Sequence, residues 1–158
     1  MKIKSVRANN HKRAFEIGTR RGALPFPYAK LRIRPRKSDP VVEAFADDEL
    51  GKEAFTYRLE SGDEDTIHLD AVLEYNRDPA YLMEMAVYRL TVEVQRAVEN
   101  SGLSKRELIR RLGTSPSQFY RLLDPTYRGK SVGQLLALLH LVGCDVDVVE
   151  RSMPAPGR

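Results

Sequence analysis

The sequence contains few of the residues that build metal and redox sites: one cysteine, Cys144, and three histidines in 158 residues. A single cysteine excludes an internal disulfide framework and is typical of a protein in a reducing compartment. His11, His68 and His140 are far apart and lack metal-ligand spacing. Neither a phosphate-binding glycine loop nor a calcium-loop pattern is present. The sequence therefore predicts no metal, no cofactor and no enzymatic activity.

Long apolar runs are also missing. No stretch approaches the ~20 apolar residues that a bilayer-spanning helix needs. Residues 1–13 are positively charged, but no apolar run follows them, so they do not form a signal peptide. We therefore expect a cytoplasmic protein with no membrane partner.

Charge is present in blocks of one sign. The chain has a net charge of +4. Residues 2–37 hold twelve Lys or Arg and one acid, residues 38–78 hold thirteen acids and three bases, and residues 104–130 hold seven bases and two acids. These blocks indicate either separate charged faces or, in the N-terminal half, basic and acidic strands that meet in one sheet, which we favour. The basic pI of about 9.3 permits a polyanionic partner without requiring one.

The first half of the chain reads as short strands. Alternating apolar residues predict strands near residues 2–7, 14–20, 41–45, 55–59 and 67–69. The proline-rich segment 22–27 is predicted to be a bend, and residues 71–75 a helical turn. We therefore predict an N-terminal α+β domain of unknown role over residues 1–77, built on one small, mostly antiparallel sheet.

The second half, residues 78–152, is predicted to be a helical domain. Asp78 and Pro79 are typical of a helix start, and no Gly or Pro interrupts the chain from there to Asn100. A last helix after Ser131 is apolar almost all round, so part of its surface is expected to meet another element or another chain. Residues 144–150 are predicted to form an edge strand, and residues 153–158 a disordered tail.

The most informative stretch is residues 103–123, which reads as two short helices around Gly113. Ser104 and Glu107 form a capping-box pattern at the first helix. Ser115 and Pro116 are suited to the N-cap and first position of the second helix. A glycine turn between two short helices is typical of a helix-turn-helix, whose second helix enters the major groove of DNA.

This stretch resembles the lambda-repressor-like (Xre-type) helix-turn-helix DNA-binding family. Leu108, Leu112, Phe119 and Leu122 match the buried positions of the family, and Gly113 matches its turn. The resemblance implies an all-α DNA-binding domain. The whole chain is also similar to an uncharacterised bacterial group in which a small N-terminal α+β domain is fused to this module.

The sequence departs from the family at two positions. Ile109 stands where the family prefers a small residue, which implies a different crossing of the two helices. Pro116 stands where the family often has a base-reading side chain, and proline cannot read a base by hydrogen bonding.

The family pattern and the basic residues together predict the DNA contacts. Ser117 and Arg121 match base-reading positions, and Gln118 and Tyr120 flank them; Arg121 is expected to contribute most to specificity, because arginine pairs with guanine through two hydrogen bonds. The predicted phosphate contacts come from a matching family position, a helix N-terminus and the following loop: Lys105, Ser115, Arg128 and Lys130.

These observations predict a sequence-specific transcriptional regulator that binds double-stranded DNA as a homodimer. The expected dimer surface lies on the last helix and the strand after it: Leu135, Leu138, Leu139, Val142, Val146 and Val148. One alternative is an antitoxin that binds DNA and neutralises a partner toxin. Another is an adaptor that binds no DNA and uses its N-terminal domain to bind a protein or ligand. RNA binding by the basic segment 28–37 is a weaker alternative, since that segment has one aromatic residue for base stacking.

Overall fold

The computed structural model describes residues 1–152, and the predicted tail at 153–158 lies outside them. The protein is α+β: the described residues form two antiparallel three-stranded sheets and five α-helices. The contacts divide the chain into two compact units, unit 1 (Met1–Tyr81) and unit 2 (from Leu82 onward). No helix within residues 1–152 is long and apolar enough to cross a membrane.

Unit 1 contains all the strands of the described chain and one short α-helix. The strands are β1 (Ile3–Asn9), β2 (Ala14–Thr19), β3 (Gly22–Pro27), β4 (Val41–Ala46), β5 (Ala54–Leu59) and β6 (Glu64–His68). Helix α1 (Leu69–Tyr75) follows them. The expected strands at 14–20, 41–45 and 55–59 are thus confirmed within two residues at each end.

The strands form two sheets, so the prediction of one sheet is wrong. One sheet has the order β1-β2-β3 and the other β4-β5-β6. Residues 28–40 separate them, beginning with a short 3-10 helix at Tyr28–Lys30. The 3-10 helix ends the extended backbone of β3 at Pro27, and a new sheet starts at Val41.

The predicted bend at residues 22–27 is also wrong, because these residues form β3. The strand pairs with β2 alone, with Pro25 opposite Glu16 and Pro27 opposite Ala14. Proline is tolerated on an edge strand, where its missing N–H is not needed by a second neighbour. Gly22 adopts φ +119°, which allows the tight turn from β2 into β3.

The two sheets share one apolar core around Phe15 of β2. The Phe15 ring lies 4.9 Å from Tyr28, 5.0 Å from Phe55 and 5.2 Å from Tyr57, centre to centre. All four residues are buried. Since Phe55 and Tyr57 belong to β5, these ring contacts join the two sheets of unit 1.

Each buried tyrosine in this core donates its hydroxyl proton to a defined acceptor. Tyr28 donates to Oδ1 of Asn10 at 3.0 Å, and Tyr57 donates to the carbonyl oxygen of Ile33 at 2.5 Å. Burial raises the pKa of both hydroxyls to about 12, because the charged phenolate is disfavoured away from water. Both therefore remain neutral donors at any physiological pH.

Unit 2 is built from helices around a second core. The helices are α2 (Pro79–Asn100), whose first turn lies in unit 1, then α3 (Lys105–Leu112), α4 (Pro116–Leu123) and α5 (Val132–Leu141). The expected start of α2 is confirmed, and Asp78 Oδ1 accepts a hydrogen bond from the Tyr81 N–H at 2.9 Å. Side chains of α2, α3, α4 and α5 all contribute to the core: Val94, Val98, Leu108, Phe119, Leu122, Leu135, Leu138 and Leu139.

Helix α5, on which the dimer surface was predicted, packs inside this core. Leu135, Leu138 and Leu139 are buried by the other helices of the same unit. Leu136, Leu141 and Val142 are half-buried and pack against the same core. The apolar composition of α5 is thus explained, for these residues, by burial within its own unit.

The predicted edge strand at residues 144–150 is wrong, because this segment is irregular. A strand needs a neighbouring strand to satisfy its N–H and C=O groups, and the described part of unit 2 is helical. Cys144 and Val146 are half-buried against the helical core, whereas Val148 is 97% exposed.

The shared core predicts that losing the Phe15 ring will destabilise both sheets. Phe15→Ala should lower the free energy of unfolding by about 3–5 kcal/mol, because it leaves a cavity at the centre of the ring cluster. Urea denaturation of the full chain would measure it. Phe45→Ala, at a position 45% exposed on β4, is the control. Equal losses in the two variants would contradict a core centred on Phe15.

Candidate nucleic-acid interface

Helices α3 and α4 are joined by a short turn that local sequence determines. The Ser104 hydroxyl accepts a hydrogen bond from the Glu107 N–H at 3.1 Å and so caps α3. Gly113 ends α3 in the left-handed conformation, with φ +68°, which glycine adopts without the strain of a side chain. Ser115 then caps α4 by accepting from the Gln118 N–H at 3.2 Å, and Pro116 takes the first helical position. The predicted caps, the glycine turn and the position of Pro116 are confirmed, whereas the carboxylate of Glu107 bonds to Arg110 and Arg111 and does not complete the capping box.

Helix α4 has one buried and one exposed side. Phe119 and Leu122 are buried in the core of unit 2 beside Leu108 of α3. The side chains expected to read bases are all exposed on α4: Ser117, Gln118, Tyr120 and Arg121. The packing therefore fixes which side of α4 faces outward.

Two cation–π contacts organise this exposed surface. The Lys105 ammonium lies 5.5 Å from the centre of the Tyr120 ring, so the start of α3 contacts the middle of α4. The Arg121 guanidinium lies 5.6 Å from the centre of the Tyr127 ring, in the loop after α4. Such contacts contribute roughly 0.5–1 kcal/mol at exposed sites. They place two predicted base-reading residues in contact with neighbouring side chains: Tyr120 with Lys105, and Arg121 with Tyr127.

Three of the four predicted phosphate-contacting residues are exposed: Lys105, Ser115 and Arg128. The Arg128 guanidinium lies 3.5 Å from the Glu84 carboxylate, but both side chains are more than half exposed. An exposed ion pair of this kind contributes little to stability, so the Arg128 guanidinium remains available to another anion.

Lys130 is placed differently from the expectation. Its ammonium donates to Thr91 Oγ1 on α2 at 3.1 Å and to the carbonyl oxygen of Asp124. Burial lowers the pKa of Lys130, partly offset by the Asp124 carboxylate. The half-buried ammonium thus ties the loop after α4 to α2, because the loop folds back over that helix and brings the side chain inward. It does not lie with the exposed cations of α3 and the loop.

Both acids of the α3–α4 region have hydrogen-bond partners close by in the chain. Glu107 accepts hydrogen bonds from Arg110 at 2.6 Å and from Arg111 at 2.8 Å, which lowers the pKa of its carboxyl group to about 2. Asp124 accepts from the Thr126 hydroxyl at 2.7 Å and from the Thr126 N–H, which lowers its pKa. Arg110 and Arg111 are therefore ion-paired with Glu107.

Three residues that support this surface were not singled out from the sequence. Gln95 on α2 donates to the carbonyl oxygen of Leu123 at 2.6 Å, at the end of α4. Thr91, fully buried on α2, receives Lys130, and Tyr127 contacts Arg121. Thr91 and Gln95 lie four residues apart on a helix, so they share one face. Two polar residues at that spacing, beside the apolar Val94 and Val98, were the sequence signal that could have identified these contacts.

Within residues 1–152, no group of three or more His, Cys, Asp or Glu side chains is arranged to hold a metal ion. Comparison with known protein families, curated proteins and solved structures finds no match for this chain. The resemblance to the lambda-repressor-like family therefore remains a prediction from the residues of α3 and α4.

The bonds of Lys130 predict a structural role that can be measured without DNA. Lys130→Ala should lower the free energy of unfolding by about 1–2 kcal/mol, because it removes charge-assisted hydrogen bonds between the loop and α2. Urea denaturation would measure the change. Arg128→Ala removes only an exposed ion pair and should cost about 0.5 kcal/mol or less. An unchanged stability of Lys130→Ala would contradict this role.

Proposed function

We propose that this protein is a sequence-specific DNA-binding transcriptional regulator that reads base edges through α4. The observation that carries the proposal is the exposed side of α4, where Ser117, Gln118, Tyr120 and Arg121 lie opposite the buried Phe119 and Leu122. A short helix presented in this way by a preceding helix and a tight turn is the arrangement that helix-turn-helix proteins insert into the major groove. The resemblance of the same residues to the lambda-repressor-like family supports this function.

Arg121 is the residue proposed to contribute most to base selection. Its cation–π contact with Tyr127 engages the charge of the guanidinium rather than its N–H donors. Those donors can then bond to O6 and N7 of guanine. Because Tyr127 restricts the side chain before DNA binds, less conformational entropy is lost on binding.

The electrostatics of the α3–α4 region favour a polyanion. Residues 104–130 contain seven bases and two acids. Both acids have internal partners, Glu107 with two arginines and Asp124 with Thr126. Lys105 and Arg128 are therefore proposed to contact phosphates on either side of the reading helix, with backbone N–H groups at the start of α3 and of α4 as further donors.

This function predicts that Arg121→Ala removes selectivity. For a duplex selected from a random pool, affinity should fall about tenfold to a hundredfold, which corresponds to the ~1–3 kcal/mol of one arginine–guanine pair. Affinity for unselected duplexes should change little. Fluorescence anisotropy at fixed salt would measure both.

The matched control is Arg110→Ala. Arg110 is an exposed arginine of α3 that is paired with Glu107, and its loss should leave selectivity unchanged. If wild-type protein binds no duplex, or binds every duplex equally, the proposed function is wrong.

The regulator is further proposed to act as a dimer, because one short helix contacts few base pairs and two-fold dimers read paired half-sites. Since Leu135, Leu138 and Leu139 are buried within the chain, the dimer surface is assigned instead to exposed apolar side chains of α2 between Leu82 and Val92. There Leu82, Met83, Tyr88 and Val92 are 39–63% exposed.

A dimer through α2 predicts a sedimentation mass of twice 18.0 kDa at micromolar concentration. Tyr88→Glu should shift the chain to monomer, because a buried unpaired carboxylate opposes association. Ala137→Glu, on the exposed side of α5, should leave the dimer intact. A wild-type mass equal to one chain would contradict the dimer.

A further inference from the structure

A small cavity in unit 1 has three positively charged side chains among the seven residues that line it. Its volume is about 200 Å³, and it lies between the turn that joins β1 to β2 and the segment that joins β3 to β4. The residues that line it are Asn10, Arg13, Tyr28, Pro35, Arg36, Lys37 and Pro40. Three cations from two separate loops therefore converge on one space.

These cations are not neutralised by the protein. Within residues 1–152, Arg13, Arg36 and Lys37 form no ion pair with a carboxylate. The nearest acid along the chain, Asp39, accepts hydrogen bonds from the N–H of Ser61 at 2.8 Å and from its hydroxyl at 2.9 Å. That carboxylate is therefore engaged with the β5–β6 turn. Like charges held together without an acid repel one another, and an anion in the cavity would remove this cost.

The first loop is held in place by hydrogen bonds. Arg13 adopts φ +55°, a left-handed conformation that is uncommon for residues other than glycine. Its carbonyl oxygen accepts from the Tyr28 N–H at 2.9 Å, and its guanidinium donates to the carbonyl oxygen of Pro35 at 3.0 Å. Asn10 donates to the carbonyl oxygen of Val41 at 3.0 Å and accepts from the Tyr28 hydroxyl. The wall of the cavity is thus formed before any ligand binds.

The second loop is closed by a tight turn. The N–H of Arg36 donates to the carbonyl oxygen of Asp39 at 3.0 Å, and the N–H of Asp39 donates back to that of Arg36 at 3.1 Å. The turn leaves the Arg36 and Lys37 side chains exposed at the cavity. Both have charged donors that make no hydrogen bond within residues 1–152.

We infer that this cavity binds a phosphate group. Phosphate carries several acceptor oxygens and one or two negative charges, and arginine recognises it through paired N–H donors. Two arginines and a lysine around a small cavity match a single phosphate better than a bulky apolar ligand. The group comes either from a nucleic-acid backbone or from a free phosphorylated molecule. The site is on unit 1 and does not depend on DNA binding by α4.

The test uses the full-length chain with pyrophosphate as the probe, followed by backbone amide NMR. Saturable shifts are expected at residues 10–13 and 36–37. In the double variant Arg36→Ala with Lys37→Ala, affinity should fall by about tenfold or more, since two charge-assisted contacts are lost. The control pair is Lys4→Ala with Arg20→Ala, which removes the same two residue types from the opposite end of the β1–β2 hairpin. That pair should change affinity by less than about twofold.

Competition then separates the two sources of phosphate, read at the same resonances. Displacement of pyrophosphate by a short single-stranded oligonucleotide would support a backbone phosphate. Displacement by ADP but not by the oligonucleotide would support a free phosphorylated ligand. The proposal is overturned if pyrophosphate gives no saturable shift at these residues, or if both double variants weaken binding equally, which would indicate only general attraction to a basic protein.

Discussion

The attachment of the end of α4 and of its following loop depends on hydrogen bonds from α2 and the loop. The last carbonyl groups of any helix lack partners inside the helix. At the end of α4, Gln95 donates a hydrogen bond to one such group, the carbonyl oxygen of Leu123. Thr91 accepts a hydrogen bond from Lys130 in the following loop. The apolar side of α4 packs on the same helix bundle through Phe119. Packing sets which side of α4 faces outward, and these polar contacts keep its end and its loop attached to α2.

The local structure could be read from the sequence where short-range chemistry determines it. Caps at Ser104, Ser115 and Ser131, the left-handed turn at Gly113 and the start of α2 follow from hydrogen bonds within a few residues. The sequence did not predict the structure correctly where contacts between residues far apart in the chain determine it. The prolines at 25 and 27 suggested a bend, yet an edge strand tolerates them. The apolar residues of α5 suggested an interface, yet Leu135, Leu138 and Leu139 are buried in the core of their own unit.

The candidate site was likewise predictable only in the parts that local sequence determines. Helical periodicity around Phe119 and Leu122 correctly identified Ser117, Gln118, Tyr120 and Arg121 as the exposed residues of α4. The role of Lys130 could not be predicted, because it depends on where the loop after α4 folds relative to α2. Its partner Thr91 lies thirty-nine residues earlier in the chain. The cation–π contact of Arg121 likewise required the position of a loop residue, Tyr127.

The inward bonding of Lys130 also bears on how the proposed complex would respond to ionic strength. Cations that contact phosphates release condensed counterions from DNA, and each contact steepens the dependence of log affinity on log salt by about 0.9. With Lys130 held against α2, each copy offers the side chains of Lys105 and Arg128 as its charged phosphate contacts in this region. Counterion release would then supply a modest part of the binding free energy. The interface would lose affinity gradually as salt rises, and base contacts would account for a larger share of the total.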